Sequence, residues 1–189
     1  DSPTAGIFIT GVFTGPKDIP ESVMQGSAAA AMSLSLLSAE KGKLVTEKVY
    51  PPEKDVTGEE PRVGVFVCHC GKNIGGVINV PGVVEYARTL PDVVYAEDNL
   101  YTCSTEAGEK IMQAIKEYNL NRVIVASCTP RTHEPLFQAT IREAGLNPYL
   151  FEMANIREHA SWVTDKPDEA TEKAKALVSA AVRKVYYQE

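Results

Sequence analysis

The stretch VGVFVCHCG, residues 63–71, decides the fold. Its first five residues form an apolar run without alternation, the pattern of a strand buried on both faces. The run breaks off into Cys68, His69 and Cys70, so the strand is expected to end where two thiols begin. Outward from this point, strand and helix patterns take turns. VVEYARTL (83–90) reads as a short helix opening near Pro81, and VVYAED (93–98) as a strand. From Thr105 a helix places Ile111, Ala114, Ile115 and Tyr118 on one face. RVIVASC (122–128) is a strand. From His133 a second such helix places Leu136, Phe137, Thr140, Ile141 and Ala144 together, with Gly145 as its stop. PYLFEMAN (148–155) is a strand, and Asp168 to Tyr187 a long helix striped by Ala170, Ala174, Leu177, Val178, Ala181 and Val185. Alternation of this kind predicts an α/β three-layer sandwich with a mainly parallel, flavodoxin-like sheet.

The part before it is different. GIFITGVF (6–13) reads as a strand, GPKD (15–18) as a turn, and ESVMQGSAAAAMSLSLL (21–37) as a helix begun by Pro20. Small residues on most faces of that helix predict close packing against something large. Residues 39–61 are charged, contain Pro and Gly, and lack a sustained period. They read as a linker with a short extended piece at LVTEKVY (44–50). The domains expected are therefore 1–38, a linker over 39–61, and 62–189.

Composition sets limits. The chain has 189 residues, 44% hydrophobic and 23% charged, with a formal net charge of −6. There is no basic stripe for nucleic acid and no apolar run long enough for a membrane span. The chain opens DSPTAG, with no basic segment leading into an apolar one, so a cytoplasmic, reducing setting is expected for the cysteines.

Four cysteines, Cys68, Cys70, Cys103 and Cys128, carry the chemistry. In parallel sheets ligands collect beyond the carboxyl ends of strands. Cys68 and Cys128 end strands, Cys70 follows by two, and Cys103 follows the second strand and precedes a helix. A helix amino terminus there favours the thiolate. Any one of them alone reads as a small core residue; four at one edge point to metal or redox chemistry. The spacing is C-x-C, then gaps of 32 and 24 residues. It matches neither paired zinc knuckles nor the bacterial ferredoxin run. Spacing thus leaves open zinc, an iron–sulfur cluster, a Cys68–Cys70 redox pair, or an α/β binding domain with incidental thiols. No Ser–His–Asp order, Walker loop or paired catalytic carboxylates stand out, and GKNIGG (71–76) is not a dinucleotide fingerprint. No catalytic residue is assigned, and a complete enzyme is not expected from this chain alone.

VGVFVCHCGKNIGGVINV, LPDVVYAEDNLYTCS, NLNRVIVASCTPRTHEPLFQ and GLNPYLFEMANIREHASWV resemble the amino-terminal region of the heterodisulfide reductase A-subunit family, over about residues 62–185. Related subunits occur in quinone-interacting and benzoyl-CoA reductase complexes. The resemblance implies a [4Fe–4S] cluster on Cys68, Cys70, Cys103 and Cys128. It also implies electron transfer beside other flavin and iron–sulfur subunits of a cytoplasmic redox complex, with a homodimer as a further arrangement. In the best-known members that complex performs flavin-based electron bifurcation. The alternative function is a structural zinc-binding interaction module. GIFITGVFTGPKDIPESVMQGSAAAAMSL resembles the carboxyl-terminal stretch of the family's thioredoxin-reductase-like FAD domain. By that resemblance residues 1–38 are a strand–helix remnant of a FAD domain, with Asp18, Ile19 and Pro20 beside the flavin of the intact parent. The order implies a fused or duplicated parent protein.

Around the thiols, Gly71, Gly75 and Gly76 are expected to let backbone amides approach sulfur. His69 reads as packed or solvated before it reads as a ligand. Arg131 and His133, and the group Asn155, Arg157, Glu158 and His159, are expected on the same edge, as shielding or surface. Trp162 reads as packing.

Overall fold

The computed structural model describes residues 2–188; residues 1 and 189, the outer limits of the expected domains, lie outside the described residues. The chain divides between Val49 and Tyr50 into two compact units.

In the second unit four strands form one sheet: β1 (Val63–Cys68), β2 (Val93–Asn99), β3 (Arg122–Ser127) and β4 (Phe151–Asn155). Their order is β2-β1-β3-β4 and every pairing is parallel. The helices are α2 (Val80–Ala87), α3 (Thr105–Glu117), α4 (Pro130–Glu143) and α5 (Pro167–Tyr186), counted after α1 (Ile19–Leu37) of the first unit. Alternation along each strand sorts the core into two. Val63, Val65, Val67, Ile124 and Ala126 pack with α2 and α5. Phe66, Val123, Val125, Phe151 and Met153 pack with α3 and α4. The result is the expected three-layer α/β sandwich with an all-parallel sheet. Both β1 and β3 are buried at every residue, which explains their continuous apolar runs.

Helix ends follow local chemistry. Asn79, Ser104 and Thr129 cap α2, α3 and α4, their side-chain oxygens accepting from Gly82, Ala107 and Arg131 N–H. Because Thr129 caps and Pro130 opens the first turn, α4 begins before His133, where the apolar period becomes visible. Gly145 ends it at φ +83°, and Leu146 N–H closes on the Ile141 carbonyl at 3.2 Å. Leu136, expected on the buried face, is 43% exposed. β4 starts at Phe151, not at Pro148, because Asn147 makes a turn: its side chain accepts from Tyr149 N–H at 2.8 Å.

The unit boundary falls inside the 39–61 segment. Its second half is held against the sheet-bearing unit: Lys54 N–H donates to Gly145 C=O at 2.7 Å, and Asn121 Nδ2 donates to Glu60 C=O at 2.9 Å. No strand forms at 44–50.

The first unit is built around α1. Asp18 and Glu21 form a reciprocal cap, Glu21 N–H donating to Asp18 Oδ1 at 2.7 Å. The expected strand over 6–13 does not form; residues Gly11–Thr14 make a 3-10 turn instead. A strand needs a partner edge, and among the described residues this unit offers none. No residue of α1 is buried within the chain, and Phe13, Ile19, Val23 and Met24 are exposed. Among the described residues no helix is long and apolar enough to cross a membrane.

Gly64 in β1 tests the packing. A Cβ there would stand 2.4 Å from Leu120 Cδ1 and 3.3 Å from Phe66 Cε2. Gly64→Ala should therefore destabilise the second unit by about 1–3 kcal/mol through overpacking, read as a lowered denaturant midpoint at unchanged m-value.

Candidate metal centre

Parallel strands all end at one side, and that fact assembles the site. Cys68 closes β1, level with Asn99 at the end of β2. Cys70 is the residue from which a 3-10 turn, Gly71–Asn73, begins. Cys103 directly precedes Ser104, the cap of α3, and Cys128 directly precedes Thr129, the cap of α4. All four are free thiols. Three of them thus stand at the amino ends of helical turns, where unpaired N–H groups favour negative charge.

The thiols feel one another. Burial pushes the Cys70 thiol above its ordinary value, Cys68 and Cys103 push the same way, and the Arg157 guanidinium opposes them. Burial likewise raises Cys128, again with Arg157 opposing and with Cys68 and Glu158 adding to the rise. Each of the four cysteines therefore lies within electrostatic reach of another. Among the described residues no three His, Cys, Asp or Glu side chains form a ready ligand set for a single ion.

The loop between Cys70 and α2 is tightly folded. Asn73 and Ile74 N–H groups both donate to Cys70 C=O, at 3.0 and 3.1 Å. Gly76 N–H donates to Gly71 C=O at 2.9 Å, so this amide is committed within the loop and is not offered to sulfur. The His69 ring lies on Gly75, where a Cβ would stand 2.0 Å from its Cδ2. Its Nδ1 faces Asp98 Oδ2 at 3.5 Å, and both side chains are partly exposed. His69 is thus packed and paired.

Across the edge, Ile156 and Arg157 N–H groups both donate to Ser127 C=O, at 2.9 and 3.2 Å. This pins Arg157 next to the end of β3. Its guanidinium donates twice to Glu158 Oε1, at 3.1 and 2.7 Å, and lies 4.7 Å over the Trp162 ring. Trp162, read as packing, is 57% exposed. Arg131 and His133 lie on the first turn of α4, Arg131 exposed and His133 half-buried. Asn155 accepts from Glu158 N–H at 3.0 Å and so shapes the loop. Arg157 was one of several polar residues on the expected edge; its pairing with Glu158 and its influence on two thiols single it out.

Buried polar atoms without partners gather here as well. Among the described residues, Asn99 Oδ1, Thr102 Oγ1, Ser127 Oγ and Glu158 Oε2 belong to segments at this edge, and Gln188 Oε1 lies at the chain's far end. Native interiors leave few such atoms unpaired. Soft thiols, helix amino ends, a cation and unpaired polar atoms together fit an anionic, sulfur-bound group. The signal for Thr102 and Ser127 was present in the sequence, a hydroxyl residue directly before Cys103 and Cys128, but burial is what gives it meaning.

No family model matches the chain. Over 127 residues, 67% of the chain, it is 61% identical to the second iron-sulfur A-subunit of the CoB–CoM heterodisulfide reductase of Methanopyrus kandleri. Over 133 residues, 70% of the chain, it is 58% identical to the A-subunit of the H(2):CoB-CoM heterodisulfide,ferredoxin reductase of Methanothermobacter marburgensis. A protein of Archaeoglobus profundus, described as like the heterodisulfide reductase A-subunit, is 54% identical over 127 residues, 67% of the chain. These matches cover 19%, 20% and 18% of the relatives, so the chain spans about a fifth of their length.

The thiols should differ in reactivity. In the metal-free chain Cys103, exposed, should be alkylated first and Cys68, 5% exposed, last. Cys70 and Cys128, both raised, should gain rate as pH climbs past the ordinary thiol range, because the thiolate is the nucleophile. Peptide mass spectrometry after timed iodoacetamide exposure reads the order.

Proposed function

Because this chain belongs to the heterodisulfide reductase A-subunit family, we propose that its second unit is an electron-transfer domain holding a [4Fe–4S] cluster on Cys68, Cys70, Cys103 and Cys128. One observation carries the reading: a single edge of an all-parallel sheet presents four free cysteines that influence one another electrostatically. When bound, such a cluster takes up and releases one electron at a time.

The chain's own residues supply the rest. Four thiolates would hold the irons, each at a separate iron. Rigid strands would fix the direction from which Cys68 binds, at the end of β1, and the position of Cys128, directly after β3. Arg157, held by Glu158 and by the Ser127 carbonyl, sets a positive charge against the anionic thiolates. The amino ends of α3 and α4 add partial positive charge behind Cys103 and Cys128. Metal binding releases thiol protons, so loading is favoured as pH rises.

The first unit we read as the tail of a flavin domain, residues 1–38, with 39–61 joining it to the cysteine domain. Supporting this, α1 leaves apolar side chains such as Ile19 and Val23 uncovered, as a helix does when the body it packs on lies elsewhere in a longer protein. Asp18, Ile19 and Pro20 would border the FAD of that parent. Several relatives carry names of heterodisulfide reductase subunits, which supports a place for this chain beside other flavin and iron–sulfur subunits. Free thiols of this number suit a reducing, cytoplasmic setting.

Anaerobic purification and reconstitution, followed by iron, sulfide and zinc analysis, tests the reading. About four iron and four sulfide per chain are expected, as for a cubane bound by four cysteines. Cys68→Ser, Cys70→Ser, Cys103→Ser and Cys128→Ser should each lose most of both. Zinc bound without sulfide, after reconstitution with iron and sulfide, returns the domain to a structural metal module.

A further inference from the structure

Among the described residues of the second unit, five hydroxyl residues are fully or nearly buried: Thr102, Ser127, Ser161, Thr164 and Thr171. Three of them have partners. Ser161 Oγ donates to Asn73 C=O at 2.6 Å, Thr171 Oγ1 donates to Pro167 C=O at 2.8 Å, and Thr164 Oγ1 accepts from Lys173 Nζ at 2.8 Å. The other two have none, although Thr102 is 1% and Ser127 2% exposed. These two are the residues directly before Cys103 and Cys128.

Leaving a buried hydroxyl unpaired costs stability, so a pair of them at one edge calls for a partner. Strand alternation puts the Ser127 side chain on the face of Val123 and Val125, the face covered by α3 and α4. Those two helices begin next to Cys103 and Cys128. Thr102 lies in the short connection from β2 into α3, two residues before the cap Ser104. A hydroxyl donates one hydrogen and turns freely to find its acceptor. Sulfur carrying negative charge is the acceptor that the four-cysteine edge would bring.

Resting on the iron–sulfur reading above, we propose that Thr102 and Ser127 are positioning residues whose hydroxyls donate O–H···S hydrogen bonds to the bound cluster or its thiolates and hold its reduction potential up. Neither residue is a ligand. Hydrogen bonds to sulfur stabilise the more negative, reduced state, so losing one moves the potential down.

The chain, reconstituted without oxygen, is titrated with dithionite against redox mediators, and the reduced cluster is followed by electron paramagnetic resonance. Thr102→Val and Ser127→Ala should keep the iron content of the parent chain yet show a more negative midpoint, with a larger shift in the double variant. Thr102→Ser and Ser127→Thr, which keep the hydroxyl, should stay near the parent value; Thr102→Ala carries the test if Thr102→Val loads poorly. In the metal-free chain the same hydroxyl-deleting variants should melt no lower than the parent, because there the hydroxyls have no partner to lose. A clear loss of metal-free stability would show them already paired and overturn the proposal. An unchanged midpoint in loaded Thr102→Val and Ser127→Ala would also overturn it, with the cluster reading left standing. Failure of the parent chain to take up iron and sulfide would remove the cluster reading itself.

Discussion

Parallel pairing is the constraint from which the rest follows. A parallel sheet sends every strand's carboxyl end to one edge, and each crossover returns the chain to the opposite edge before the next strand. Residues 35 and 60 positions apart along the chain, Cys103 and Cys128 relative to Cys68, therefore reach the same side without any long loop. Burial of β1 and β3 on both faces makes this arrangement rigid. A one-residue slip would exchange the two cores, because Val65 and Phe66 face opposite layers.

Electrostatics at that edge work in both directions. Burial disfavours thiolates at Cys70 and Cys128, and their shared negative charge would do so further. Arg157 and the helix amino ends oppose this. The balance leaves Cys70 and Cys128 less ready to ionise than an ordinary thiol, with Arg157 working against that rise. Such a site holds its shape through backbone bonds, the two N–H groups on Ser127 C=O and the two on Cys70 C=O, and not through the thiols themselves.

Much of the fold was legible in the sequence because its causes are periodic. Unbroken apolar runs gave the doubly covered strands, and 3.6-residue stripes gave α3 and α5. Gly145 marked the end of α4 because only a positive φ closes the helix there. Where the cause was a single side chain, the reading slipped by a few residues: Thr129 moved the start of α4, and Asn147 the start of β4. GIFITGVF failed as a strand for another reason, since strand propensity counts only where a partner edge exists. The four cysteines could be placed at one edge from order alone. The unpaired state of Thr102 and Ser127 could not, for it depends on which atoms fail to meet. Arg157 was visible only as one polar residue among several.

The stacking of Arg157 over Trp162 joins the surface to the thiols. The ring is 57% exposed, and the guanidinium behind it is the cation that opposes the rise of Cys70 and Cys128. Any body that seats on the indole removes water from one side of that cation. With less solvent to screen it, the field at the sulfurs strengthens. A change of solvent at the rim would thus be felt at Cys70 and Cys128 through charge alone, without movement of any strand.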